Sequence, residues 1–327
     1  MTQKTINHTP GHKLNEDILK LCHKMELPLH YNHRGPKEFT NYQRVGLIVL
    51  FHRSRKALRD FVKELCESLW PRWLGLRRIP GKSTLHDWLK MFNVPNVRKF
   101  NELLIEKEQP SLLAIDGTGI DSWQRSRHYQ RRIGDPYMPY AKLDSLVDTQ
   151  TGIIFDHCLR VKPRHDVLGA TSILRRTKLR NVIILGDKGY DSEPLHEIAA
   201  EKQIRFFAPV RKSSRKTPKG RYRKTCVEKI PEYPRRNVVE SAFHALKAVH
   251  VNALRSKKHF MKKREMAWHV LVYNMKRINK TIASWLVAIY ELFPDTPIKT
   301  KILNKQKAAT KIGKNYENVS RITPTLT

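Results

Sequence analysis

Residues 111–116 read Ser-Leu-Leu-Ala-Ile-Asp, and residues 181–187 read Asn-Val-Ile-Ile-Leu-Gly-Asp. Each is a short, near-continuous apolar run of strand length, the pattern of a strand covered on both faces, and each ends on an aspartate. Strand-like runs Lys142–Val147 and Ile153–Val161 lie between them, joined by the turn Thr149-Gln150-Thr151-Gly152. Val167–Lys178 and Glu193–Lys202 read as helices, and Ile204–Val210 as a further strand. Arg211–Lys224 carries eight basic residues and no acid, with Ser, Pro and Gly, and reads as an exposed loop. Arg236–Val249 and Met266–Phe293 are helical by period. Three strands, helix, strand, helix, strand, helix make a mixed α/β sheet with helices on its faces.

That order is the order of an RNase H-like fold, placed here at 106–293 with the basic loop 211–231 inside it. Residues 1–35 are polar and weakly periodic, ending at Gly35-Pro36, and 294–327 form a basic tail. Between them, 36–105 reads as an all-α region. Leu58, Phe61, Val62, Leu65 and Leu69 share a helix face, with Pro71 as its end. After the basic turn Arg77-Arg78-Ile79-Pro80-Gly81, Ser83 is the expected N-cap of a helix whose stripe is Leu85, Trp88, Leu89 and Phe92, closed by Pro95. Short helices with cations at the turn suggest a helix-turn-helix, with Lys82 as a DNA contact; an ordinary helical bundle reads equally well. Gly81-Lys82-Ser83 is not the end of a phosphate-binding loop, because Leu76 stands where that pattern needs glycine and no strand precedes it.

Sixty-three Lys and Arg against 30 Asp and Glu leave a formal charge of +33 over 327 residues. With 40% apolar residues the chain has material for a core, so the charge calls for a polyanion such as nucleic acid rather than for disorder. Val45–Phe51 and Ile282–Phe293 are too short to span a bilayer, and the N-terminus has no apolar signal region. A cytoplasmic, nucleoid-associated protein is expected. Cys22, Cys66, Cys158 and Cys226 are widely spaced, with no paired spacing of a zinc site, and read as reduced thiols.

Asp116 and Asp187 fall at the carboxyl ends of buried strands, where ligand chemistry gathers in open α/β sheets. Either alone is also a turn former. On the helix that follows the basic loop, Arg236, Glu240 and Lys247 fall within about 40° of one another at 100° per residue. Val238, Val239, Ala242, Ala245, Leu246 and Val249 cover the opposite side. An Arg236–Glu240 pair explains part of that stripe and leaves Lys247 and Tyr233 unexplained.

Tyr233-x2-Arg236-x3-Glu240-x6-Lys247 resembles the YREK signature of DDE transposases of bacterial and archaeal insertion sequences. Asp116 in AIDGTG resembles that family's first catalytic acid, Asp187 in LGDKGYDS the second, and Glu240 the third. The likeness covers about residues 105–280. It implies that the three acids bind two Mg²⁺ or Mn²⁺ ions roughly 3.5–4 Å apart. It implies water as the first nucleophile at an element end, then attack of the freed 3′-OH on target DNA, with no ATP. It also implies that Arg236 and Lys247 clamp phosphates, that Tyr233 positions DNA or guards a flipped base, and that a homodimer assembles on DNA.

Arg125, Arg127, Arg131 and Arg132, interleaved with Trp123, Tyr129 and Tyr137, and the six cations of Arg255–Arg264 are candidates for backbone contact, with Arg131 and Arg132 foremost. A capping role is expected for Asp166, and packing roles for His157, Cys158, Trp268, Trp285 and Tyr290. Two rivals remain. A metal-dependent nuclease of the same fold would cut without joining, and a domesticated DNA-binding regulator would use the basic surface alone.

Overall fold

The computed structural model describes residues 10–31, 37–122, 141–161, 165–211, 218–228, 230–251 and 253–292, with helical side chains described at 13–24 and 259–279 in the first and last helices. Contacts divide the chain into units at Met1–Arg277 and Ile278–Thr327, and the account below concerns the first.

Six helices precede the sheet: α1 (Pro10–Lys24), α2 (Asn41–Ser54), α3 (Leu58–Glu67), α4 (Trp70–Trp73), α5 (Lys82–Met91) and α6 (Val94–Leu104). Strands β1 (Leu112–Ser122), β2 (Ala141–Asp148) and β3 (Ile154–Arg160) follow, then α7 (Asp166–Arg176), β4 (Ile183–Leu185), α8 (Glu193–Glu201), β5 (Arg205–Phe207) and α9 (Arg221–Lys224). Helix α10 (Val238–Val249), the two-residue β6 (Ala253–Leu254) and the long α11 (His259–Leu292) complete the chain as described.

The sheet runs β3-β2-β1-β4-β5, with β6 beside the far end of β1. Strands β1, β2 and β3 pair antiparallel, while β4 and β5 run parallel to β1. This is the RNase H-like strand order. Alternation along β1 sorts its side chains into two cores. Leu113 and Ile115 pack with Ala170 and Ile173 of α7 and with Leu195 and Ala199 of α8. Leu112 and Ala114 face Val239, Phe243 and Leu246 of α10 and Met266, Val270 and Tyr273 of α11. Helix α11 serves a third core as well. Its Trp268, Leu271 and Met275 join Ile18, Leu47, Phe61, Leu85 and Phe100 of the leading helices. Asn274 on α11 donates to Asn101 Oδ1 of α6 and to the Ile154 carbonyl of β3, at 2.7 Å each, tying those helices to the sheet edge.

Several sequence boundaries move. Residues 1–35 include a helix, α1, whose Leu14, Ile18 and Leu21 recur at steps of four and three and are buried. Pro71 does not end the helix before it: α3 stops at Glu67, and Pro71 sits in the first turn of α4, where its missing N–H costs nothing. Leu69 falls between the two helices and is 59% exposed. Pro95 likewise opens α6 behind the Asn93 cap. The N-cap of α5 is Gly81, in extended backbone, not Ser83. Part of the expected 211–224 loop is helical, as α9.

Candidate active site

Strands β1 and β4 are in parallel register at Ala114 and Leu185. Asp116 and Asp187 each lie two residues beyond that pair, so the two apolar runs set their aspartates side by side. Strand β4 has ended there, but β1 runs on to Ser122, so Asp116 lies inside its strand, opposite Ser145 of β2, and not at the strand's carboxyl end as the sequence suggests. Oδ1 of Asp116 accepts the Gly117 N–H at 2.7 Å, and Oδ1 of Asp187 accepts the Gly189 N–H at 2.7 Å. Each carboxylate is thus oriented by a backbone N–H close by in the chain. Asp187 caps the short 3₁₀ turn Lys188–Tyr190.

Asp116 points toward α10, the face that its alternation with Ala114 requires. A second 3₁₀ turn, Tyr233–Asn237, leads into that helix. Arg236 therefore precedes the α-helix instead of lying inside it, yet its guanidinium spans two acids. It donates to Asp116 Oδ2 at 2.8 Å and to Glu240 Oε1 at 3.1 Å. Burial raises the Asp116 carboxyl above its ordinary value and Asp187 adds to the rise, while Gly117 and Arg236 pull it down. Burial opposes the Arg236 charge, but Asp116, Tyr233, Glu240 and Asp187 outweigh it and hold the guanidinium more firmly protonated. Tyr233 packs edge-on against Phe207 of β5, ring centroids 5.5 Å apart. Lys247 donates to Thr118 Oγ1 on β1 at 2.6 Å, and burial lowers its pKa.

The stripe Tyr233, Arg236, Glu240 and Lys247 and the two aspartates thus gather around neighbouring positions of the sheet. Lys82 does not join them: it is exposed at the head of α5. Arg131 and Arg132 lie outside the described residues, as do Trp123, Arg125, Arg127, Tyr129 and Tyr137. Helix α10 buries Val239, Ala242 and Leu246 as its stripe requires, although Val249 is 39% exposed.

A second layer lies beneath. Asp144 of β2, fully buried, accepts a fork from Arg160 of β3 at 2.9 and 3.0 Å. Burial pushes its carboxyl up to about 6 against the pull of Arg160 and Lys142, with Asp116 adding to the rise. Lys142 pairs with Asp166, the first residue of α7, so Asp166 is an ion-pair partner, and the N-cap position of that helix belongs to His165. Tyr190 is fully buried, and its hydroxyl has no hydrogen-bond partner among the described residues. Burial first, then Asp144, Asp116 and Asp187, raise its pKa. Arg223 of α9 forks onto Asp191 at 2.6 and 2.7 Å, fixing the described end of the basic loop beside the DKGYD turn. Pairing across strands carries no sequence spacing, so Asp144 and Arg160 gave no signal of their partnership.

Carboxylate oxygens alone make up the acidic set, the donor chemistry that hard divalent cations take. Among the described residues no three His, Cys, Asp or Glu side chains stand close enough to hold one ion as they are. The Arg236 guanidinium lies between Asp116 and Glu240 and supplies the positive charge that a cation brings to such a set.

A mixed sheet in this strand order, with one acid inside β1 and the other just beyond the adjacent β4, defines an RNase H-like domain. The family described as "Transposase DDE domain" matches residues 107–275, just over half of the chain, and the chain belongs to that family. Among solved structures, the piggyBac transposase synaptic complex with hairpin DNA is similar at 14% identity and TM-score 0.38, covering 96% of this chain and 84% of that one. A pre-cleavage Mos1 transpososome is similar at 10% identity and TM-score 0.26, covering 84% and 98%. The Mos1 mariner paired-end complex with Mn is similar at 11% identity and TM-score 0.27, covering 85% and 88%. Strand order and the family match define the fold, since superpositions this distant do not. No curated protein matches the sequence. Among the described residues, no helix is long and apolar enough to cross a membrane.

Proposed function

We propose that this transposase cuts DNA at the ends of an insertion sequence and joins the freed 3′-OH ends to target DNA, with Asp116, Asp187 and Glu240 as its catalytic acids. The observation that carries the reading is the shared guanidinium: Arg236 holds Asp116 and Glu240 together, although 124 positions separate them in the chain. The three carboxylates would hold divalent Mg²⁺ or Mn²⁺, two per site, which supply activation of the attacking oxygen and stabilisation of the leaving one.

The chain's own groups do the rest. Asp116 and Asp187 are aimed by the Gly117 and Gly189 N–H groups, so no orientation has to be found when DNA arrives. Arg236 balances the acids in the free protein and turns to a phosphate when cations load. Lys247, held off the helix by Thr118, clamps a second phosphate, and Tyr233 packs beside the strand at the cut. Arg131 and Arg132 extend the phosphate track, and Lys82 contributes from the helical region, whose helix-turn-helix reads the terminal repeats. Two ends cut in concert call for a dimer on DNA.

The test uses element-end DNA and a plasmid target with Mg²⁺. Asp116→Asn, Asp187→Asn and Glu240→Gln are each expected to lose cleavage by at least about 10³-fold while retaining end binding, a loss of about 4 kcal/mol. Normal cutting by these variants removes the assigned roles. Cutting of ends without a joined product favours the nuclease, and binding without cutting favours the regulator.

A further inference from the structure

Where β6 pairs with the last residues of β1, the leading helices and the corner made by β6 and α11 enclose a cavity of about 780 Å³. That volume falls within the roughly 300–1,000 Å³ of ligand sites. Its lining is largely apolar and includes Phe51, Leu89, Phe260 and Trp268. Trp268 is fully buried, whereas Phe260 is 47% exposed. His52, His250 and His269 complete the wall, and burial holds all three below the usual imidazole range, so they are neutral at pH 7. The His52 ring stacks toward Trp268 with centroids 6.1 Å apart.

The cavity's charge is opposite in character to its wall. Arg55, Lys56, Lys90, Lys257, Lys258 and Arg264 all line it, and Glu265 is the one acid among the lining residues. That carboxylate is already engaged by the backbone N–H groups of Arg255 at 2.9 Å and Ser256 at 2.8 Å. Arg264 lies over the Phe260 ring, 5.1 Å from its centroid. Anionic groups therefore suit the cations, and a flat, weakly polar ring suits the wall. A phosphate chain alone has no use for the aromatic wall, and an apolar molecule alone has no use for seven cations, Arg255 being the seventh. A nucleotide satisfies both, because bases stack on aromatic faces while phosphates track basic side chains.

We propose that this cavity receives one unstacked base of a DNA strand, with the flanking phosphates on the Lys257–Lys258 and Arg55–Lys56 sides. The inference rests on the DNA-acting reading above and adds a second DNA site, lined by none of the three acids. A fully paired duplex keeps its bases stacked and cannot fill it. The site therefore favours single-stranded or distorted DNA.

Fluorescence anisotropy on the full chain tests this with a short fluorescein-labelled single strand, the same strand in duplex, and dAMP as competitor. Phe260→Ala removes the exposed ring, and Ala57→Trp, at an exposed lining position, fills the cavity. Both leave the three acids and the YREK stripe untouched. Each is expected to weaken single-strand binding about tenfold, the worth of one stacked base, with duplex binding changed less than twofold and thermal melting unchanged. Equal losses on single strand and duplex, or no loss with either variant, overturn the site. Binding of dAMP as tight as that of the strand overturns DNA as the ligand. If the parent protein binds duplex and cuts it through the acids while the two variants behave like the parent, this inference alone fails. If the parent binds no DNA in either form, both readings fail.

Discussion

Tyr190 shows what a single side chain does beneath the candidate site. Its ring fills the space between β4 and α7 while its hydroxyl, fully buried, lacks a partner and senses Asp144, Asp116 and Asp187. A buried hydroxyl without a hydrogen bond is destabilising, so removing it relieves a desolvation cost. Tyr190→Phe is therefore expected to raise stability by about 1 kcal/mol in urea denaturation. A loss of similar size would mean that the hydroxyl is paired in solution. The pattern D-x-G-Y placed this residue beside Asp187 in the sequence, but nothing there said that it lies under all three aspartates. Arg236 is the opposite case. Its spacing to Glu240 was legible as i,i+4, whereas its bond to Asp116 exists only because β1 and α10 meet.

Among elements, α7 approaches the sheet most closely at Gly169. A Cβ built there would lie 2.1 Å from Asp144 Oδ2, with the buried Asp144–Arg160 pair unable to withdraw. Gly169→Ala is expected to destabilise the fold by about 2–3 kcal/mol, even though alanine is the better helix former. Thermal unfolding measures this, and a raised melting temperature would show that α7 can move off β2 at little cost. The strands were legible because each is a short apolar run of period two or of continuous burial. The leading helices were less so. Prolines 71 and 95 signal a break in either direction, and only the packing of Trp70, Trp73 and Val97 decides that both open helices here. Helix α1 escaped notice because its stripe is brief and set among charges, and its stability comes from the core it joins.

For the whole molecule, buried histidines set the response to acid. Burial lowers His52 and His250 to about 4 and His157 to about 3, from an ordinary 6.5. The unfolded chain binds these protons more tightly, so the contribution is complete above pH 6.5 and drains as pH falls toward 4. At about 1.4 kcal/mol per pH unit, His52 alone accounts for up to roughly 3 kcal/mol. Asp144 works the other way: its carboxyl, raised to about 6 from 3.8, takes its proton first in the folded state and favours the fold between those values. Three histidines outweigh one aspartate. The urea midpoint is expected to fall steadily from pH 7 to pH 4.5, and His52→Phe should flatten the slope. A constant midpoint would refute neutral burial of these rings.

The sequence by itself determined the sheet, the order of its strands, the two aspartates that follow their apolar runs and the helical stripe bearing Glu240, but not that β1 runs on past Asp116 to Ser122. These follow from local periodicity and from chain punctuation, which need no partner. Tertiary structure alone decided that Arg236 joins Asp116 to Glu240, that Asp144 and Arg160 form a buried layer below, and that α11 serves two cores at once. It also decided that cations from the link between α2 and α3, from α5 and from the β6–α11 corner surround one aromatic-walled cavity. Such contacts join residues up to about two hundred positions apart, and their energy depends on burial and distance, quantities that exist only after the chain has closed on itself.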